Sequence, residues 1–319
     1  MPYLFYLLLL FALINLYFLV ATRYHIVDRP GDRSSHNRPV LRGGGVIIPL
    51  GIVLWFIWSG FQYPWFFAGL MLVSLVSFLE DLSHVNRGIR FLTQLAAIIL
   101  LTMQFELPFL PWWGWALMLF TAIGIINAFN FMDGINGITA GYSLSALVGL
   151  WIVNNYQAPF IPNDLLYATG LAMALFSFYN FRNHARCFAG DVGPVAISFI
   201  LVFLLGKLIL TTGNMAYLMF LIIYGVDTFI TIIKRMMRHE NIIEPHRQHL
   251  YQLLTNESGI SHVKVSTGYT IAQLLINLLV IVLAGQLSVS YQLLVSIGIT
   301  GGLAAVYVIV KRDTRDEGT

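Results

Sequence analysis

The chain has 319 residues, 58% of them hydrophobic and 10% charged, a formal net charge of +3 and a mean hydropathy of +0.76. A soluble domain of this length needs far more charge to cover its surface, so the composition excludes one and predicts an all-α, polytopic integral membrane protein. The single cysteine, Cys187, excludes an intramolecular disulfide.

A spanning helix takes about 20 mostly apolar residues. Eleven segments qualify in chain order, near 3–22, 45–61, 64–80, 91–107, 112–129, 137–155, 164–181, 194–212, 215–233, 267–285 and 290–310, with ten as the alternative count. They predict a single transmembrane domain over residues 1–319, without an evident internal repeat. The first segment lacks a basic n-region, and Arg23 and Arg29 follow it, which predicts an uncleaved helix with its N-terminus outside. Continuing through eleven spans puts the C-terminus in the cytoplasm. The same side then holds every one of the 18 basic residues except Lys207, as the positive-inside rule requires. All eight histidines fall in the inner connections, whereas the outer loops hold almost no titratable group beyond Glu106 and Asp164. Chemistry is therefore expected at the cytoplasmic face, where Cys187 is a bystander thiol.

Five inner stretches carry residue types that reaction chemistry uses. SSHNRPVLRGGG (34–45) joins His36, Arg38 and Arg42 to three glycines whose N–H groups could approach an anion; a flexible, positive-inside loop accounts for the same residues. FLEDLSHVNRGIR (78–90) ends the third span with Glu80 and Asp81, about 100° apart around a helix, so both are poorly placed to face lipid. A solvated helix end is the plain alternative. In NAFNFMDGINGITAG (127–141), Asn127, Asn130, Asp133 and Asn136 recur every three residues, which on a helix gives one slowly rotating polar stripe. Gly134, Gly137 and Gly141 there suit close packing or backbone access. Interhelical glue needs one such polar residue, not four.

RNHARCFAGDVGP (182–194) sets Asp191 among glycines just before a span, three residues after Phe188. Hard oxygen beside flexible backbone suits Mg2+, which keeps several waters and takes one or two carboxylates plus phosphates; an acid at a helix N-terminus is also stabilising in its own right. The last long inner loop, 234–265, includes EPHRQHLYQ (244–252). A helix over 246–254 would put His246 and His249 on one face, a pair without a third zinc ligand but suited to phosphate contacts or acid–base work beside Arg247. Asp227, inside the ninth span, is expected to line the site or pair internally.

Taken in order, these stretches resemble the polyprenyl-phosphate N-acetylhexosamine-1-phosphate transferases. The shared pattern is an acidic pair after an early span, a NAFNFMDGINGITAG-like stretch after a later one, FAGD (188–191), and a histidine motif in the last long inner loop. SSHNRPVLRGGG and EPHRQHLYQ look most like the branch that starts O-antigen and related cell-surface glycan synthesis. The resemblance implies that UDP-N-acetylhexosamine and undecaprenyl phosphate become undecaprenyl-diphosphoryl-sugar and UMP. It also implies Mg2+, or Mn2+ in its place, and an active site on the cytoplasmic face of a bacterial inner membrane.

The same resemblance implies Asp191 and Asp133 as metal ligands and Asp81, Asp133, His246 and His249 as catalytic residues. It implies His36, Arg42, Asn130, Asn136, Asn180, Phe188 and Arg247 as substrate-binding residues, with Phe188 stacked on uracil and Asn180 bonded to its edge. His246, Arg247 and His249 would hold the diphosphate. The expected partners are the two substrates and membrane lipids, with no nucleic acid; a homodimer is compatible but not required. A phosphate monoester with a second pKa near ~6 is mostly dianionic at neutral pH. That favours direct attack on the β-phosphorus over an aspartyl-phosphate intermediate, so Asp81 or Asp133 would orient the acceptor rather than deprotonate it. The chain departs from the family pattern at Glu80, Asn136, Pro194 and the spacing of Asn180. A secondary transporter is the competing reading, and it would hold its polar residues near the bilayer midplane, often in inverted repeats.

Overall fold

The structure, a computed structural model, describes residues 2–28, 38–107, 111–241, 247–286 and 288–316. Among these, the helices are α1 (Tyr3–Arg23), α2 (Ile47–Trp58), α3 (Pro64–Leu82), α4 (Arg87–Gln104), α5 (Trp112–Met132) and α6 (Ile138–Tyr156). They continue with α7 (Asn163–Asn180), α8 (Val192–Thr212), α9 (Ile222–Met237), α10 (Leu250–Asn256), α11 (His262–Gln286) and α12 (Val289–Asp316). Two short strands, β1 (Val27–Asp28) and β2 (Val40–Leu41), pair antiparallel with Val27 opposite Leu41. The protein is thus all-α and polytopic. Each of the eleven predicted segments lies on a helix, with α10 an extra short helix in the last inner loop.

Seven helical stretches are long and apolar enough to cross a membrane, and the Gly44–Trp58 stretch is apolar but shorter. Helices α4, α6 and α7 fall below that mark because they carry more polar side chains, among them Gln94, Asn154 and Asn180, which are buried against other protein. Asn154 of α6, for example, accepts the N–H groups of Phe160 and Ile161 at 2.9 and 3.1 Å and closes the connection to α7.

Helix α8 is apolar on all sides and is the most enclosed of the seven, as an all-round apolar helix should be. It packs on α2, α3, α5 and α6, with Phe66 of α3 stacked on its Phe203 at 4.1 Å between ring centroids. Helices α6 and α11 are joined by a buried polar ladder. Tyr142 donates to Gln273 Oε1 (2.7 Å), Gln273 to Asn277 Oδ1 (2.7 Å), and Asn277 to the Ser145 carbonyl (3.0 Å). At the periphery, α1 and α12 expose Leu8, Leu19, Leu294, Ile297 and Ile309. Water would make such a surface a liability, whereas lipid solvates it.

At one end of the bundle the chain closes a tight seam between residues 41–46 and the loop leading into α8. Phe188 donates its N–H to the Leu41 carbonyl (2.8 Å), Gly44 to the Phe188 carbonyl (2.8 Å) and Gly45 to the Ala189 carbonyl (3.0 Å). This corrects the anion-binding expectation for the glycine run, because the N–H groups of Gly44 and Gly45 are already bonded. The glycines are there for close approach: a Cβ on Gly45 would collide with Gly193 Cα and stand 2.7 Å from the Ala189 carbonyl oxygen. Gly45→Ala is therefore expected to destabilise the fold by about 1–3 kcal/mol, the usual range for overpacking. A lowered thermal midpoint in detergent checks it, with Gly301→Ala as the neutral control, since a Cβ there meets nothing within 4 Å.

Candidate active site

The seam positions a charged row. Asp81, near the C-terminus of α3, has no solvent-exposed side-chain surface. It accepts the backbone N–H groups of Asp191 (2.8 Å) and Val192 (3.1 Å) and the Nε–H of Arg42 (2.7 Å). A carboxylate at a helix N-terminus is favourable, and this one also ties α3 to α8. Gly190 makes room for it. Its φ of +69° belongs to the left-handed region, and a Cβ would fall 2.6 Å from the Asp81 carboxyl carbon. Asp191, the next residue, pairs with Arg42 Nη2 (3.3 Å) and Arg90 Nη2 (2.9 Å), and Arg90 Nη1 reaches Glu80 Oε1 (3.4 Å). Glu80, Arg90, Asp191, Arg42 and Asp81 thus alternate in charge along one edge.

A recess of about 280 Å³ opens beside this row. Seven residues expected from sequence line it: Arg42, Asn130, Asp133, Asn136, Asn180, Phe188 and Asp191. Asp81 does not; it stands behind the wall and positions Arg42 and the α8 N-terminus. Asp28, Gln252 and His262 also line the recess and were not foreseen. The only sequence signal for His262 was the gathering of all the histidines in the inner connections.

The expected helical stripe through 127–136 is corrected. Helix α5 ends at Met132, so Asp133 and Asn136 sit in a glycine-containing turn, while Asn127 bonds Gln94 of α4 (3.1 Å) outside the recess. Burial raises the Asp133 carboxyl to about 7, with the Asp191 and Asp81 charges adding to the rise. Two asparagines have structural work. Asn136 donates to the carbonyls of Arg182 (2.9 Å) and Asn183 (3.2 Å). Asn180 accepts from Gly137 N–H (2.8 Å) and donates to the Cys187 carbonyl (2.9 Å), so its amide braces two loops rather than standing clear for a nucleobase. Burial pushes the Cys187 thiol up to about 12. The folded protein is accordingly expected to resist maleimide at pH 8, where the thiol stays protonated, and to react after denaturation in SDS; mass spectrometry reads both.

The histidine loop is anchored from behind. Asp227 of α9 meets His249 Nδ1 (3.2 Å), accepts the Leu250 N–H (3.1 Å) and takes the Tyr269 hydroxyl (2.8 Å). Of the two expectations for Asp227, internal pairing is the one realised. The loop reaches the recess through Gln252, while Tyr251 bonds the Phe131 carbonyl (3.0 Å) at the end of α5. Among the described residues, Arg247 keeps Nε and Nη2 buried without a protein partner, an arrangement that suits an anion. His36 and His246 lie outside the described residues.

The chemistry of the wall bears on a metal. Three carboxylates, Asp28, Asp133 and Asp191, face the recess against one guanidinium. Among the described residues no cluster of three protein ligands forms. Mg2+ does not require one, since it binds through one or two carboxylates plus water and phosphate. The residues fit that ion.

Residues 63–209 match glycosyl transferase family 4. The chain is 27% identical to the "Probable undecaprenyl-phosphate N-acetylglucosaminyl 1-phosphate transferase" of Bacillus subtilis, over 76% of this chain and 73% of that protein. It is 26% identical to the undecaprenyl-phosphate alpha-N-acetylglucosaminyl 1-phosphate transferase of Yersinia pestis, over 74% and 71% respectively. A phospho-N-acetylmuramoyl-pentapeptide-transferase of a Synechococcus strain is 27% identical over 54% of this chain and 57% of its own length. With the ordered motifs around the recess, these matches make the chain similar to glycosyl transferase family 4 and, within it, to the polyprenyl-phosphate N-acetylhexosamine-1-phosphate transferases.

Proposed function

We propose that the protein transfers an N-acetylhexosamine 1-phosphate from a UDP-sugar to undecaprenyl phosphate, at the cytoplasmic face of a bacterial inner membrane, in the first membrane step of a cell-surface glycan. One observation carries the proposal. Arg42, Asn130, Asp133, Phe188 and Asp191, from three separate stretches, converge on one recess at the end of the bundle where the basic loops gather. The positive-inside pattern supports eleven spans, an outer N-terminus and an inner C-terminus. A site at the rim lets the acceptor keep its tail in lipid while its head meets a cytosolic nucleotide.

An oxygen of the lipid phosphate attacks the β-phosphorus of the UDP-sugar. The bond from that phosphorus to the oxygen bridging the α- and β-phosphates breaks, and the electron pair leaves on UMP. No base is needed, because the acceptor is already dianionic at neutral pH. Asp191 and Asp133 would hold Mg2+, which supplies charge neutralisation between the two phosphates. As the donor enters, Arg42 and Arg90 exchange Asp191 for diphosphate oxygens, and Arg247 offers its two buried donors to the same group. Phe188 gives an aromatic face for the base. The transporter alternative lacks support, because the mid-helix polar residues Gln273 and Asn277 bond within the bundle.

The test is UMP release from purified protein given undecaprenyl phosphate, Mg2+ and a panel of UDP-N-acetylhexosamines. The relatives' names make UDP-N-acetylglucosamine the first donor to try. Release is expected to require the lipid and to stop with EDTA. Folded protein that releases no UMP with any donor would overturn the proposal.

A further inference from the structure

A second cavity lies on the far side of the histidine loop. It is a groove of about 400 Å³ between α9, α11 and α12, with apolar walls that include Val226, Ala272, Leu303 and Val306. It shares no lining residue with the catalytic recess. His262 faces the recess and Lys264 the groove, two residues apart and so about 200° around α11. Gly268 of α11 borders this open space: a Cβ there would meet nothing within 4 Å.

Its length and its charges narrow the occupant. From Lys264 to Ala272, α11 rises ~12 Å, close to the ~15 Å that is half of a hydrocarbon core. One cation, Lys264, stands at the end nearest the active site, and a second, Lys234, lies over the ring of Tyr307 in the groove wall (5.2 Å). Asp227 contributes to the floor, but both its oxygens are bonded by Leu250, Tyr269 and His249. The rim is therefore positive, the walls are hydrocarbon, and the run along α11 approaches the depth of one leaflet.

We propose that this groove holds one acyl chain of an anionic glycerophospholipid, with its phosphate at Lys264. A polyprenyl tail would overrun a groove one leaflet deep, and an acyl chain matches it. The lipid would press on Leu250 and Asp227, the pair that fixes His249, and so steady the histidine loop from behind without entering the reaction.

The experiment does not depend on any reading of the reaction. Protein in phosphatidylcholine nanodiscs doped with phosphatidylglycerol and undecaprenyl phosphate is released into the gas phase, and retained lipid is weighed by native mass spectrometry. One phosphatidylglycerol per chain is expected to remain. Gly268→Leu, which fills the groove, is expected to abolish retention. Lys264→Gln is expected to reduce the preference for phosphatidylglycerol over phosphatidylcholine about fivefold, the effect of one lysine at an anionic surface. Lys264 is exposed, so that variant carries the test even should Gly268→Leu fail to fold. No retained phospholipid, retention unchanged in Lys264→Gln, or undecaprenyl phosphate held in its place would each overturn the proposal.

Discussion

Replacing Asp133 or Asp191 by asparagine is expected to lower lipid-dependent UMP release by at least about 10²–10³-fold, the usual effect of deleting one preorganised electrostatic partner. The two variants should part company in stability. Asp191 pairs with Arg42 and Arg90, so Asp191→Asn weakens two ion pairs and lowers the thermal midpoint. Asp133 carries a carboxyl that burial raises to about 7. Its ionised form is thus disfavoured by the fold, and a neutral amide of the same shape relieves that cost. Asp133→Asn should leave the thermal midpoint unchanged or raised while activity collapses, the pattern of a residue kept for function at the expense of stability. Melting curves and UMP assays on the same preparations check both halves. An Asp133→Asn protein with full activity would remove Asp133 from the site.

The largest stability effect is expected at Asp81. Truncation to alanine strips the acceptor from two backbone N–H groups at the start of α8 and from Arg42 Nε. Removing one partner from such a buried set costs about 3–5 kcal/mol. Asp81→Ala should therefore melt far below the parent and release little UMP, whereas Asp81→Asn, which keeps an amide oxygen to accept one N–H, should fall between. Gly190→Ala attacks the same junction from the other side, since its Cβ crowds the Asp81 carboxyl and its φ is unfavourable for alanine. The two lesions share one contact, so the double variant should lose less than the sum of the singles. Full additivity would mean that Gly190 and Asp81 act separately.

The helices were legible because a bilayer demands long apolar runs: each run expected from composition is largely helical, 215–233 entering α9 through a 3-10 stretch over Met215–Leu221, and seven helical stretches are long and apolar enough to span. Much of the site was legible for a related reason. Polar residues such as Asp133 and Asp191 stand out against so apolar a background, and motif order links them before geometry does. What stayed hidden is which polar atoms face the recess. Nothing in the spelling of Asn180 or Asn136 tells that their amides bond to backbone across a loop, and nothing in GGG separates a phosphate cradle from a packing seam. Most of those distinctions depend on partners more than 40 positions away, as for Asn136 with Asn183 and Gly137 with Asn180. The helical stripe through 127–136 failed where periodicity fails generally, at a helix end, because Gly134 and Gly137 turn the chain before the pattern is complete.

The bond between Asp81 and the start of α8 spans 110 positions, and that span has a consequence for biogenesis. At a synthesis rate of about 5–20 residues per second, the ribosome needs roughly 5 to 20 s to deliver the α8 N-terminus after Asp81 has emerged. Through that interval Asp81 stands at the membrane edge with Arg42 already made but without the two N–H donors of α8, and Asp191, which Arg42 and Arg90 also hold in the finished fold, has yet to be made. The recess is closed later still, because Gln252 and His262 also line it. The recess is therefore assembled only as insertion nears completion, and a factor that shields the half-bonded acid during those seconds would govern how much of the protein reaches the finished fold.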